Sequence, residues 1–167
     1  MNTTARITVI GVGNEYRRDD GVGWAVVTRL AERLRNAPSP GRAALVVCDG
    51  DPARLISHWE GADLAIVVDA AHAHPGRPGR VHRLELAGGR LAVADGATSS
   101  HGLGLGDAVE LARELDRLPA LLVVYAVEGA DCSPGTGLSA PVGAAVDSLA
   151  DEIAGQIADH HRRIAGR

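Results

Sequence analysis

Three ionisable residues stand where this sequence could do chemistry: Asp20 in GVGNEYRRDDGVG, Asp69 closing LAIVVD, and His101 in TSSHGLG. Two carboxylates and an imidazole form an oxygen and nitrogen donor set suited to a borderline divalent metal, with coordination positions left open. A metal so held polarises a carbonyl or lowers the pKa of bound water to ~7, and either effect supports peptide hydrolysis. Each residue also has a purely structural reading. Asp19 or Asp20 suits the N-cap of a helix starting near Gly21. Asp69 suits a turn at the end of its strand, and His101, among Ser and Gly, suits a solvated loop.

Other candidates are weaker. His72 and His74 follow Asp69 and compete as a ligand pair, but the adjacent PGRPG marks an exposed turn. His160 and His161 are neighbours on a helix, point apart and read as surface residues. Cys48 and Cys132 match neither a disulfide framework nor a zinc-thiolate spacing. Gly11, Gly13 and Asp49 open like a dinucleotide fingerprint. Tyr16 then occupies the place of the third glycine, and Asp19 and Asp20 would repel a pyrophosphate at the helix start. HExxH, GxSxG and GxxxxGK do not occur, so no zincin, serine-hydrolase or P-loop assignment follows.

These residues must be positioned by the elements around them. The β-branched run at residues 6 to 12 reads as a buried strand. From Gly21, Val22, Ala25, Val26, Leu30, Ala31 and Leu34 recur at helical spacing until NAPSPG. Buried strands follow at residues 43 to 50 and 62 to 71, separated by the short helix PARLISHWE with Pro52 in its first turn. The alternating VHRLEL at residues 81 to 86 reads as an edge strand. GDAVELARELDRL is an amphipathic helix, and residues 120 to 127 are a fifth strand. From about Pro141, Val146, Leu149, Ile153 and Ile157 recur at helical spacing, and DHHRRIAGR reads as a fraying polar tail. Strands apolar on both faces, alternating with helices, imply an α/β three-layer sandwich with a mostly parallel sheet. In such a sheet ligands bind beyond the carboxyl ends of the strands, where Asp20, Asp69 and His101 fall.

The bulk composition narrows the function. A chain of 167 residues suits one domain, residues 1 to 167, with a sizeable core. That core is aliphatic, because the sequence has no Phe, two Trp and two Tyr. Seventeen basic residues against twenty-one acidic ones give a net charge of −4 with no basic block, and with so few aromatics this argues against a nucleic-acid partner. The opening segment lacks a signal-peptide core, and no later apolar run approaches the ~20 residues needed to span a bilayer, so a cytoplasmic protein without a membrane partner is expected.

The ordered motifs GVGNEYRRDDGVG, VVDA, SSHGLGLGDAVELA and VEGADCSPGTGLS, from about Ile7 to Val142, resemble the nickel-iron hydrogenase maturation endopeptidases. The resemblance implies a twisted five-stranded sheet with helices on both faces and one strand running against the others. It implies a metal site of two acids and a histidine in a cleft beside the sheet. Position by position these are Asp20 before the glycine of the first motif, Asp69 ending the third strand, and His101 opening the later helix. The family's first acid is often glutamate, and Asp20 is one methylene shorter.

The implied reaction is removal of a C-terminal extension from a hydrogenase large-subunit precursor after nickel insertion. The implied metal is the nickel already held by that precursor, engaged as a check on loading. Asn14, Asp49 and Gly50 are candidates for holding the substrate strand, with turn structure as the alternative reading. No general acid or base is evident. Two rival functions are a nickel-dependent assembly chaperone that does not cut, and a Rossmann-like nucleotide binder using Gly11, Gly13 and Asp49.

Overall fold

The computed structural model describes residues 5–37, 42–88, 90–93 and 103–166. The β-branched runs form strands β1 (Ile7–Val12), β2 (Ala44–Cys48), β3 (Leu64–Ala71), β4 (Val81–Ala87), β5 (Arg90–Val93) and β6 (Leu121–Glu128). The helically spaced segments form α1 (Val22–Asn36), α2 (Pro52–Trp59), α3 (Leu103–Glu114) and α4 (Ala140–Ala165). A 3-10 turn over Arg18–Gly21 leads into α1. In α2, Asp51 is the N-cap, its carboxylate accepting from Arg54 N–H at 3.0 Å, with Pro52 in the first turn as expected.

The strands form one sheet in the order β2-β1-β3-β6-β4-β5. β2, β1, β3 and β6 are parallel, and β4 runs antiparallel to both of its neighbours. The expected α/β architecture with one reversed strand is present, extended by the short strand β5. That addition corrects the reading of residues 81 to 86 as an edge. Leu84 to Ala87 pair with Val93 to Arg90, so β4 is interior and β5 is the outer strand.

The side chains explain the three layers. On β3, Leu64, Ile66 and Val68 face α1 and α4, while Ala65 and Val67 face α2 and α3. This alternation is the two-residue period of a strand with both faces covered. The first face is filled by Val26 and Leu30 of α1 and by Leu149, Ile153 and Ile157 of α4, and the second by Leu55, Ile56 and Trp59 of α2 and by Ala108 and Ala112 of α3. At ~25 cal/mol per Å² of apolar area removed from water, such two-sided burial is the main stabilising term.

The sequence turns outward from β1 in both directions, to β2 on one side and β3 on the other. That reversal opens a crevice at the carboxyl ends of β1 and β3.

Candidate active site

The start of α1 lies directly over this crevice. A Cβ on Gly23 would lie 2.5 Å from the Val68 carbonyl oxygen and 2.7 Å from the Val12 nitrogen, and one on Gly11 would lie 2.4 Å from the Gly23 carbonyl oxygen. Only bare backbone permits that approach. Gly13, at φ 129°, bends the chain away from β1. The space its side chain would fill holds the Asp20 carbonyl oxygen, 2.0 Å from where a Cβ would stand. The GxG at the end of β1 is thereby explained by backbone packing.

The turn so seated carries the two adjacent acids to different places. Neither is the N-cap of α1, since Gly21 holds that position without a side-chain bond, which corrects the capping expectation. Asp20 is half-buried, and its Oδ2 accepts the Asn14 N–H at 2.9 Å. Asp69 reaches the same crevice from the end of β3, its Oδ1 accepting the Ala70 N–H at 2.8 Å. Burial pushes the Asp69 carboxyl up to about 7; the Ala70 N–H opposes this and the nearby Asp20 charge adds to it. Two carboxylates close enough to repel, one of them largely desolvated, disfavour a second negative charge and favour a proton or a cation beside them.

The two acids that the sequence placed together are thus neighbours in space. His101 lies outside the described residues. Among the described residues no group of three His, Cys, Asp or Glu side chains is arranged to hold a metal ion. The acid pair fits a divalent cation by its donor chemistry, oxygen ligands with unneutralised charge, and needs a further donor to close the set.

Asn14 serves the turn: its amide N–H goes to Asp20, and its side-chain oxygen accepts from Tyr16 N–H at 2.9 Å. Asp49 is exposed beyond the end of β2, accepting Asp51 N–H at 3.2 Å and pairing with Arg54 at 3.0 Å. Gly50, at φ 90°, lies against Val12, so this turn borders the crevice while its carboxylate is engaged within the turn. His72 and His74 are exposed, as the PGRPG turn implied.

Three features escaped the sequence reading. Asp19 is completely buried, and its carboxylate accepts four hydrogen bonds from the segment after β6. Burial alone would raise its pKa; the N–H groups of Ser139, Asp131 and Ala130 and the Ser139 hydroxyl outweigh this and hold it below the usual range. Both cysteines feel the acids. Burial raises the Cys48 thiol with help from Asp49 and Asp69, and burial raises Cys132 with help from Asp20 and Asp19, so neither has the character of a thiolate nucleophile. Third, the buried Glu128 pairs with His82 at 2.6 Å and accepts the Arg77 N–H, fastening the turn after β3 to the sheet.

Beside the acid turn runs a groove of 580 Å³ lined by Tyr16, Arg18, Trp24, Thr28, Thr136 and Leu138, among others. Trp24 is pinned by its Nε1–H, which donates to the Gly13 carbonyl at 3.1 Å. Tyr16 is 65% exposed at the rim.

The family model of the HycI hydrogenase maturation proteases matches residues 25–156. The chain belongs to the hydrogenase maturation protease family. This protease is therefore a peptidase, and its match includes Asp69 and His101 while starting just after Asp20. Its fold is similar to the hydrogenase maturating endopeptidase HybD from E. coli (TM-score 0.66, 23% identity, 93% of each chain). It is similar to the [NiFe] hydrogenase maturation protease HybD from Thermococcus kodakarensis (TM-score 0.66, 24% identity, 91% of this chain and 98% of that one). HycI from the same archaeon gives a TM-score of 0.61 at 23% identity over 92% of each chain. No curated protein is a sequence match. Among the described residues, no helix of the protease is long and apolar enough to cross a membrane.

Proposed function

We propose that this maturation protease removes the C-terminal extension of a nickel-loaded hydrogenase large-subunit precursor, acting in the cytoplasm as one domain. The observation that carries the reading is the placement of Asp20, in the turn after β1, within electrostatic reach of Asp69 near the end of β3, whose carboxyl burial raises to about 7. A family of maturation proteases supplies the reaction, and the acid pair supplies a reason for it to wait for metal.

The chain's own residues act as follows. Asp20, Asp69 and His101 engage the nickel presented by the precursor. Without that cation, burial favours the protonated Asp69 carboxyl and disfavours a second negative charge beside Asp20. With it, the proton leaves and both carboxylates accept the ion, since metal binding requires deprotonated ligands. Held by Asp20, Asp69 and His101, the precursor's nickel would supply positive charge and Lewis acidity at the cleft, where the tail's scissile carbonyl would be exposed to water. The groove from Tyr16 to Leu138 receives the precursor beside the pair, and Asn14, Asp49 and Gly50 border the path of the tail.

The test is incubation with nickel-loaded precursor, read by intact mass. Shortening at the C-terminus, absent with Asp69→Ala or His101→Ala, is expected. Precursor left at full length by the wild-type protein overturns the proposal, and stable nickel-dependent association without shortening would identify an assembly chaperone instead.

A further inference from the structure

We propose that Asp19 is the positioning residue of the site: one buried carboxylate clamps the turn that presents Asp20 onto the strand pair that presents Asp69, and so sets the separation of the two acids. The inference rests on the proposed function only for its kinetic arm.

The connection can be followed bond by bond. Asp69 lies on β3, and two residues later the Ala71 carbonyl accepts the Gly129 N–H at 3.0 Å as the chain leaves β6. The next two N–H groups, of Ala130 and Asp131, donate to Asp19 Oδ2 at 2.8 and 3.0 Å. Asp20 is the next residue in sequence. The path from one acid to the other thus runs through hydrogen-bonded backbone at the ends of β3 and β6 and through the one buried carboxylate of Asp19.

The clamp also holds from its far end. Ser139 N–H donates to Asp19 Oδ1 at 2.7 Å and the Ser139 hydroxyl to Oδ2 at 2.8 Å. Ser139 is the N-cap residue of α4, yet its side chain makes no capping bond and is turned to Asp19 instead. A serine in that position ordinarily stabilises its own helix. Backbone bonds close the rest of the seam: Asp19 N–H to the Asp131 carbonyl, Arg18 N–H to Gly135, and Gly135 N–H to Tyr16.

An anionic acceptor is required here. Three backbone N–H groups and a hydroxyl converge on two oxygens, and an amide side chain would set its own NH₂ against one of those donor groups. Asp19→Asn therefore forces the segment after β6 away from the turn and shifts Asp20 with it. Ser139→Ala removes a single bond and is the milder variant. Ile157→Val, in the α4 core and remote from the site, is a stability control.

The experiment has two readouts. Crystal structures of Asp19→Asn and Ser139→Ala give the separation of the Asp20 and Asp69 carboxylates directly, whether or not any precursor is cleaved. A change of about 1 Å in Asp19→Asn supports the proposal, because a displacement of that size is enough to matter for catalysis. Should that variant not fold, a smaller displacement in the same direction in Ser139→Ala supports it. An unchanged separation in every variant that folds overturns it. With precursor, kcat is expected to fall about 100-fold in Asp19→Asn and about three- to tenfold in Ser139→Ala, with KM within twofold and kcat preserved in Ile157→Val. Folded variants that keep wild-type kcat, or lose no more than Ile157→Val does, overturn the positioning role. A wild-type protein that fails to cleave overturns the proposed function, while the measured carboxylate separations still decide the role of Asp19.

Discussion

Replacing Asp69 with asparagine should stabilise the protease while disabling it, and the size of the gain should depend on pH. The Asp69 carboxyl is raised from its usual 3.8 to about 7, chiefly by burial. At ~1.36 kcal/mol per pH unit this corresponds to at most about 4 kcal/mol against the ionised form. The sign follows from proton counting. Between 3.8 and about 7 the native state holds a proton that the unfolded state has lost, so stability falls as pH rises through this window and the loss is complete above it.

Asparagine cannot ionise, keeps an acceptor for the Ala70 N–H, and turns an NH₂ toward Asp20. Urea unfolding, followed by the fluorescence of the buried Trp59, should give the variant an advantage of about 2 to 4 kcal/mol at pH 8, shrinking to about 1 to 2 near pH 5. Groups with lowered values, Asp19, Glu128 and Asp131, contribute stability that is lost as pH falls, but equally in both proteins. An advantage equal at pH 5 and pH 8, or a variant less stable than wild type at pH 8, would refute the reasoning. A gain in stability with loss of cleavage is the trade expected where like charges are held together for function.

Removing the neighbouring charge with Asp20→Ala should abolish precursor cleavage and move the pH dependence of stability to lower pH, both readable by the same assays. Gly13→Ala should cost about 2 kcal/mol or more, since it puts a side chain at φ 129° and 2.0 Å from the Asp20 carbonyl oxygen; thermal unfolding checks this, and an unchanged midpoint would count against the interlocked turn. Tyr16→Ala should raise KM for the precursor with little change in kcat, because the exposed ring lines the groove at its rim; a fall in kcat at constant KM would exclude docking as its role.

Much of the fold is legible in the sequence because the strands are short apolar runs separated by amphipathic helices, and parallel topology then sends the ends of β1 and β3 to one rim. That rule brings Asp20 and Asp69 together without any contact being visible in the chain. β5 is not legible: four residues after two glycines carry too little pattern, and missing it makes the alternation of β4 look like an edge. The roles of Asp19 and Asp20 are not legible either. Adjacent acids before a helix satisfy the capping rule equally well, and what separates them is a set of partners 111 to 120 residues away. Periodicity reads which face a residue belongs to, and says nothing of which distant amides will converge on it. His101, the third member of the expected trio, lies outside the described residues.

The notch at Gly13 bears on how such a protease could come to serve one hydrogenase and not another. Where the strand, the acid turn and the first helix meet, main chain rests on main chain, and no interchangeable side chain intervenes to be enlarged or trimmed. Side-chain variation around the turn is consequently confined to the outer wall, at positions such as Tyr16 and Thr136, while the inner wall can be inherited only whole.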